Sequence, residues 1–173
     1  MKNKVNKVTT AGGAETVIVS SCLLGLPARY DGGDSKSNEL IARLSGKVVI
    51  AVCPEGLGGL PTPRPAAEIK TGNDNAGDPY VPDARCVPDG SSVLDGSACV
   101  TTSCGEDVTA SFIRGAEECL SIARINQVSR AYLKEKSPSC GVSIIKKDGT
   151  PCAGSGVTAE LLKRNNIETT GVR

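Results

Sequence analysis

The 173-residue sequence contains no histidine. This absence excludes the commonest general base of enzymes, the Ser-His and Cys-His nucleophile pairs, and every metal site that requires an imidazole ligand. A bound metal would therefore have to be held by cysteine, by carboxylates or by backbone oxygens. Proton transfer is left to carboxylates, hydroxyl groups, lysine or bound water.

Aromatic side chains are also scarce, with three tyrosines, one phenylalanine and no tryptophan. Surfaces that bind single-stranded nucleic acid stack the bases on aromatic rings, so this composition argues against such a surface. The formal net charge is only +1, and so no strong positive field attracts polyanions. Both features argue against nucleic acid as the partner, and nothing in the sequence indicates an obligate protein partner.

Long hydrophobic runs are missing as well. No apolar segment reaches the roughly 18 residues of a membrane-spanning helix, which argues against a membrane protein. The apolar stretch before Cys22 is too short for an export signal. We therefore expect a cytoplasmic protein whose eight cysteines are reduced or bound to metal. The length suits one domain, predicted at residues 16–173 after a flexible N-terminal tail at residues 1–15.

The hydrophobic pattern predicts an α/β fold. Short runs rich in β-branched residues predict strands, and the continuously apolar run at residues 47–53 is expected to be buried on both faces. Longer segments with a period near 3.6 residues predict helices. Strands that alternate with helices indicate a mainly parallel, Rossmann-like sheet covered by helices on both faces. The predicted strands are residues 17–22, 47–53, 130–134 and 167–172, and the predicted helices are residues 38–44, 108–126 and 157–164.

Turn-forming residues separate these elements. Residues 54–82 are rich in proline and glycine and show no period, which predicts a long functional loop with a flexible tip. Asp-Gly pairs are typical of tight hairpin turns. They predict a small hairpin within residues 84–104 and a second one around Asp148-Gly149.

Three cysteines follow predicted strands at their carboxyl ends: Cys22, Cys53 and Cys140. Ligands of open parallel sheets bind at this edge, so we expect the three thiols to meet there. The alternative is a small buried hydrophobic residue, the role that an apolar helix face indicates for Cys119. Three thiolates without histidine suit an iron–sulfur cluster better than tetrahedral zinc, which would lack a fourth protein ligand. A [4Fe-4S] cluster on three cysteines leaves one iron open to a substrate.

The remaining cysteines lie in turn-rich segments and have no partner at the spacing of metal ligands. Cys104 is the reserve candidate, because Ser103-Cys104-Gly105 repeats the local sequence Ser139-Cys140-Gly141. No role is assigned to the other three, which are Cys86, Cys99 and Cys152.

Several motifs carry a resemblance to a known family. They are SCLLG with RYDGG, then CPEGLGGLPTPRPAAEI, LKEKSPSCG and GSGVTAELL, in matching order along residues 17–172. With them the sequence resembles the thiouracil desulfidases, small bacterial iron–sulfur desulfurases formerly described as a domain of unknown function. The resemblance implies a [4Fe-4S] cluster on Cys22, Cys53 and Cys140, whose open iron accepts sulfur from a thiolated pyrimidine. It thus implies an enzyme that converts 2- or 4-thiouracil into uracil and sulfide without net redox chemistry.

Replacement of C=S by C=O also requires an activated water and a route for protons. Glu55 is the candidate for activating the water, and the alternative is a solvated loop glutamate. Ser137 and Ser139 lie beside Cys140, and their hydroxyls are candidates for binding the pyrimidine or relaying a proton. Alternatively, these serines form a Ser-Pro turn with local hydrogen bonds.

Three further residues are candidates for substrate binding. Arg64 has the planar group that pairs with a carbonyl or a carboxylate. Glu68 is its expected partner, which would make both residues structural. Tyr30 and Asp31 belong to the first motif loop, where Asp31 is alternatively only a turn residue before two glycines.

Two other functions stay open from the sequence. The thiopyrimidine could lie within tRNA, although the near-zero net charge and the lack of an added RNA-binding segment argue against it. The protein could instead be a non-enzymatic iron–sulfur redox carrier or sensor. A carrier would require a fourth cysteine, however, and it would make no use of the loop that carries Glu55 and Arg64.

Overall fold

The fold combines one central parallel sheet with two small antiparallel sheets. The computed structural model describes residues 13–71 and 88–173. In this part of the chain the strands are β1 (Thr16–Ser20), β2 (Val48–Val52), β3 (Ala67–Thr71), β4 (Ala98–Thr102), β5 (Arg130–Lys134), β6 (Ile144–Lys147), β7 (Thr150–Ala153) and β8 (Glu168–Val172). The α-helices are α1 (Asn38–Arg43), α2 (Pro54–Leu57), α3 (Gly90–Leu94), α4 (Thr109–Ile125) and α5 (Val157–Arg164).

The central sheet contains four parallel strands in the order β2-β1-β5-β8. β1 has a neighbour on each side and is almost entirely buried, as its β-branched run predicts. β2 has only one neighbour and forms an edge of the sheet, with Val48 half exposed. The prediction that residues 47–53 are buried on both faces is therefore wrong, because a continuously apolar run does not by itself separate an edge strand from a central one.

Helices cover both faces of this sheet. Alternate side chains of a strand point to opposite faces. On one face Ile18 packs in a cluster that includes Leu120 of α4 and Leu162 of α5. On the other face Val19 packs in a cluster that includes Leu40 of α1. The predicted α/β class, with a mainly parallel sheet between helices, is thus confirmed.

The region predicted as a long loop and a hairpin contains short regular elements instead. α2 begins directly after β2, and β3 pairs with β4 in an antiparallel sheet. α3 begins where a hairpin turn was expected, because the carboxylate of Asp89 accepts the N–H of Ser91 at 2.9 Å and so caps a helix. The predictions of a loop at residues 54–82 and of a hairpin at residues 84–104 are therefore wrong where the structure describes these residues. The expected flexible tip lies outside the described residues.

The second predicted hairpin is present. β6 and β7 pair antiparallel on either side of Asp148 and Gly149. Both turn residues have a positive φ, 49° and 74° respectively. A type I′ turn requires this conformation and favours Asp-Gly, which explains why the dipeptide predicted the hairpin.

The predicted N-terminal tail lies mostly outside the described residues. Glu15, just before β1, forms ion pairs with Lys47 and Arg130. These contacts attach the start of the described chain to the end of the central sheet at which the parallel strands begin. Within residues 13–71 and 88–173, no helix has the length and apolar character needed to cross a bilayer.

Candidate functional site

A cavity of about 410 Å³ opens at the carboxyl edge of the central sheet. Cys22, Cys53 and Cys140 all line it. They come from segments that follow β1, β2 and β5, which are neighbouring strands of the sheet. The structure therefore brings together the three thiols that were expected at this edge. Polar residues that share the wall include Tyr30, Glu55, Arg64, Lys134, Glu135 and Ser137.

Each of the three cysteines has a different local setting. Cys22 lies in a 3₁₀ turn, Ser21–Leu24, that follows β1 without a break. Cys53 directly follows β2 and occupies the N-cap position of α2, and its thiol donates to the carbonyl of Ala28 at 3.4 Å. Cys140 lies in the loop between β5 and β6. The carboxyl edge of the sheet and three separate loops thus fix the three sulfur atoms.

Burial disfavours the charged form of two of these thiols, Cys22 and Cys140. It raises the pKa of Cys22, and the nearby Cys53 raises that pKa further. It also raises the pKa of Cys140 well above its ordinary value. Both thiols therefore favour the protonated form unless a positive group offsets the cost of a desolvated thiolate. A cationic metal centre supplies such a charge.

The donor set fits a cluster better than a single metal ion. In the part of the chain that the structure describes, no three Cys, Asp or Glu side chains converge closely enough to bind one ion. A four-iron cluster takes each thiolate on a different iron, so its ligands surround a cavity rather than a point. Three cysteines around one cavity, in a chain without histidine, match that requirement.

Glu55 and Arg64 form a part-buried ion pair in the cavity wall. Arg64 Nε donates to Glu55 Oε2 at 2.7 Å, and the arginine side chain is only 5% exposed. Its other nitrogens donate to the carbonyls of Pro61 and Ala28 at 3.1 and 3.3 Å. Nη2 also lies 3.9 Å from the sulfur of Cys53. Arg64 therefore joins Glu55 to the segment that carries Cys53.

The expected pairing of Arg64 with Glu68 is wrong. The carboxylate of Glu68 accepts the N–H groups of Asp148 and Gly149, at 2.6 and 2.9 Å, and thereby holds the β6–β7 turn. The backbone N–H of Arg64 donates to the carbonyl of Tyr30 at 2.8 Å. This contact fixes the segment before β3 against the first motif loop, on the side of the cavity where Glu55 lies.

The loop that carries Cys140 separates the two candidate serines. Ser137 lines the cavity, and its Oγ accepts the N–H groups of Ser139 and Cys140 at 3.2 and 3.0 Å. Ser139 is buried and does not reach the cavity, since its hydroxyl bonds that of Thr158 at 2.9 Å. The local hydrogen bonds expected of a Ser-Pro turn are present at Ser137, and only this serine is placed to meet a ligand.

The two candidates of the first motif loop also separate. Tyr30 lines the cavity and is 41% exposed. Asp31 does not line it, because both its carboxylate oxygens accept from Arg29 and one also accepts the N–H of Gly33. The geometry of Asp31 is that of a turn residue. Its expected contact with substrate has no support from its position.

One cavity residue, Glu135, was not predicted from the sequence. Its carboxylate is buried and accepts the N–H groups of Val142 and Ile144, each at 3.1 Å. In the sequence it stands between two lysines, which is typical of a solvated surface segment. Its position directly after a buried strand is the sequence feature that indicated a buried site residue instead.

A family model for 2-thiouracil desulfurase matches residues 17–171. This chain belongs to the 2-thiouracil desulfurase family. The matched range includes all three cysteines of the cavity and both residues of the ion pair between Glu55 and Arg64. The resemblance found in the sequence motifs is thereby confirmed.

Two relatives extend the comparison for this desulfurase-family chain. The uncharacterized protein YbbK of Bacillus subtilis (strain 168) is 39% identical over 151 residues, which are 86% of this chain and 89% of that protein. A solved structure of the [4Fe-4S]-dependent thiouracil desulfidase TudS is similar with a TM-score of 0.69 and 40% sequence identity. That match covers 91% of this chain and 90% of the TudS chain.

The other described cysteines of this desulfurase-family chain lie away from the cavity. Cys119 is fully buried in the core beside the central sheet, as its helix face predicted. Cys104, the reserve candidate, is exposed and does not line the cavity. Cys99 and Cys152 do not line it either, and Cys86 lies outside the described residues.

Proposed function

We propose that this protein is a [4Fe-4S]-dependent desulfidase that removes sulfur from thiolated pyrimidines. In the reaction, thiouracil and water give uracil and hydrogen sulfide, so nothing is oxidised or reduced. The observation that carries the proposal is one cavity lined by three cysteines from neighbouring strand ends together with Glu55. Family membership and the similarity to TudS support it. The seven described cysteines are free thiols, which fits a reducing, cytoplasmic setting.

Cys22, Cys53 and Cys140 are the proposed cluster ligands. When bound, the cluster supplies an iron without a protein ligand, which is a Lewis acid for the sulfur of the substrate. The chain contributes a desolvated site in which the thiolates of Cys22 and Cys140 are favoured only while a positive centre is present. Arg64, with Nη2 3.9 Å from the sulfur of Cys53, adds positive charge at that ligand.

Glu55 is the proposed base for the attacking water. Its Oε2 accepts from Arg64, whereas its Oε1 has no hydrogen-bond partner within the described residues. That second oxygen is available to take a proton from water in the cavity, after which the oxygen of the water bonds to the carbon that loses sulfur. In this assignment Arg64 positions the base, and it does not bind the substrate as the sequence suggested.

Ser137 is the proposed hydrogen-bond donor to the pyrimidine. Its Oγ already accepts two backbone N–H groups, so the hydroxyl proton is free to be donated to a group in the cavity. Tyr30 offers an exposed ring at the same cavity and is the proposed contact for the face of the base. Lys134 and Lys136 also line the wall and supply positive charge for the hydrosulfide product.

Anaerobic reconstitution with iron and sulfide tests the proposal. We expect the loaded protein to consume 2- or 4-thiouracil, followed by absorbance, and to release sulfide in equal amount. Glu55→Gln should lower kcat about 10²- to 10⁴-fold with unchanged iron content, because only the base is lost. An intact cluster without turnover of either free base would overturn the proposal, and turnover only of thiouridine in tRNA would replace it with the RNA alternative.

Cysteine variants test the ligand assignment separately. Cys140→Ser should lose most of the bound iron and all measurable turnover. Cys104→Ser is the matched control, since it removes an exposed thiol outside the cavity and should keep both. A full cluster in Cys22→Ser, Cys53→Ser or Cys140→Ser would show that the ligand assignment is wrong.

A further inference from the structure

Glu135 binds the chain that follows Cys140. Its Oε2 accepts the backbone N–H groups of Val142 and Ile144, each at 3.1 Å. Its Oε1 accepts the hydroxyl of Ser143 at 2.9 Å and the backbone N–H of the same residue at 3.3 Å. One side chain, only 5% exposed, therefore holds three consecutive residues that begin two positions after the third cavity cysteine.

The carboxylate forms no direct ion pair within residues 13–71 and 88–173, although the charge of the neighbouring Lys134 acts on it. Its charge is balanced by N–H and O–H donors, in hydrogen bonds of the strong, charge-assisted kind. The sheet is shaped to receive it, because a Cβ on Gly171 of β8 would lie 2.0 Å from Oε1. The backbone N–H of Glu135 donates to the carbonyl of Val172 at 2.9 Å. The backbone of Glu135 is thus bonded to the central sheet, while its side chain binds the loop that follows Cys140.

The other side of the loop is bound by the start of α5. The N–H of Gly156 donates to the carbonyl of Gly141 at 2.7 Å, and the N–H of Thr158 donates to the carbonyl of Ser139 at 2.9 Å. These two carbonyls flank Cys140, whose exposure is only 6%. The cysteine is therefore held between two supports, of which α5 binds carbonyl groups and Glu135 binds N–H groups.

We propose that Glu135 is a positioning residue that holds Cys140 in the conformation required to bind the cluster. The inference rests on the proposed function, because Cys140 matters here as the third thiol ligand. Without the carboxylate, three N–H groups of a part-buried loop lose their acceptor. That loss favours local opening of the loop over opening of the whole protein. The thiol of Cys140 then becomes accessible and leaves its place in the cavity wall.

Alkylation of the cluster-free protein measures this opening at single residues. Iodoacetamide is added under anaerobic conditions, and the rate at each cysteine is followed by mass spectrometry of its peptide. Cys119, with 0% exposure in the core, reports opening of the whole protein. Cys104, which is exposed, reports the activity of the reagent.

Glu135→Ala should raise the alkylation rate of Cys140 about tenfold or more, which corresponds to the loss of at least one charge-assisted hydrogen bond. Glu135→Gln should stay closer to the wild type, because the amide keeps one acceptor oxygen and its NH₂ can donate to the hydroxyl of Ser143. Gly171→Ala should reproduce the effect of the alanine variant, since its Cβ displaces the carboxylate without removing it. The rates at Cys119 and Cys104 should not change.

An unchanged rate at Cys140 would overturn the proposal. So would an equal rise at Cys119, because Glu135 would then only stabilise the fold as a whole. A glutamine variant as reactive as the alanine variant would overturn the account in terms of hydrogen-bond geometry.

Cluster retention supplies the second readout. Iron loss to a chelator from the reconstituted protein should be faster in Glu135→Ala than in the wild type, and Ser143→Ala should lie between them because it removes only one of the bonds. Equal rates of iron loss would overturn the role of Glu135 and leave the proposed function intact. A wild-type protein that takes up no cluster would instead overturn the proposed function, and the alkylation rates would still decide whether Glu135 holds the loop.

Discussion

Removal of the Arg64 guanidinium should destabilise the protein strongly. The arginine side chain is 5% exposed and that of its partner Glu55 is 15% exposed. The guanidinium also donates to the carbonyls of Pro61 and Ala28 and to Thr62 Oγ1. Methionine in its place keeps a long apolar stem but supplies no donor. Arg64→Met therefore leaves the Glu55 carboxylate in the cavity wall without its cation and the two carbonyls without this donor.

The size of the effect follows from the burial of the pair. Removing one partner of a buried ion pair costs about 3–5 kcal/mol, because the remaining charge has lost its water. Glu55 lines an open cavity and keeps some contact with water, so we expect about 3 kcal/mol, the lower end of that range. With a urea slope of about 2 kcal/mol per M, the unfolding midpoint should fall by about 1.5 M.

Urea unfolding of the cluster-free protein, followed by circular dichroism, measures this difference. Arg164→Met is the matched control, because Arg164 also forms ion pairs, with Asp95 and Glu160, but is 37% exposed. Its loss should cost no more than about 1 kcal/mol. A midpoint for Arg64→Met no lower than that of the control would refute the reasoning. Adding Glu55→Gln to Arg64→Met should recover part of the loss, because a neutral amide is easier to bury than an unpaired carboxylate.

Two further variants test the packing and the pH dependence of the fold. Gly115→Ala in α4 would place a Cβ 2.0 Å from the carbonyl oxygen of Pro54. The overlap should cost about 1–3 kcal/mol despite the better helix propensity of alanine, and a raised urea midpoint would contradict this. The hydroxyl and N–H of Thr109 hold the pKa of Asp107 below its ordinary value, so the stability that this carboxylate contributes is present above about pH 4 and is lost as the pH falls through its lowered pKa. Asp107→Asn should therefore be less stable than the wild type at pH 7 but lose less stability between pH 7 and pH 3, and equal losses over that range would count against this assignment.

The part of the site that the sequence predicted depends on topology alone. Cys22 and Cys53 follow the apolar strands β1 and β2, and Cys140 follows β5 after a short loop. Parallel strands bring their carboxyl ends to one edge, so three cysteines far apart in sequence were expected in one place. No side-chain contact had to be known for this inference, which is why it succeeded.

The residues that surround the three cysteines are arranged by contacts that a sequence pattern does not encode. Whether Arg64 pairs with Glu55 or Glu68 is decided by how the proline-rich segment folds back on the first motif loop. Ser137 and Ser139 lie on either side of Pro138 in one short segment, yet only Ser137 lines the cavity, because the hydroxyl of Ser139 bonds that of Thr158 at the start of α5. The structure has the helix α3 where the sequence predicted a hairpin, because the carboxylate of Asp89 caps a helix instead of starting a tight turn.

The order of the strands explains why three cysteines suffice to surround one cavity. β2, β1 and β5 are adjacent, so the outermost two of the three strand ends are only two interstrand spacings apart, about 10 Å. An intervening strand would move one thiol away by a further spacing of about 5 Å. The thiols are therefore placed by the sheet, whereas their immediate surroundings are fixed from other elements: Arg64 reaches Cys53 from the segment before β3, and Glu135 binds the chain beyond Cys140 from the end of β5. Substitution of Glu135 should consequently disturb Cys140 and leave the sheet intact, whereas substitution of Arg64 should disturb Cys53 and also lower the stability of the whole fold.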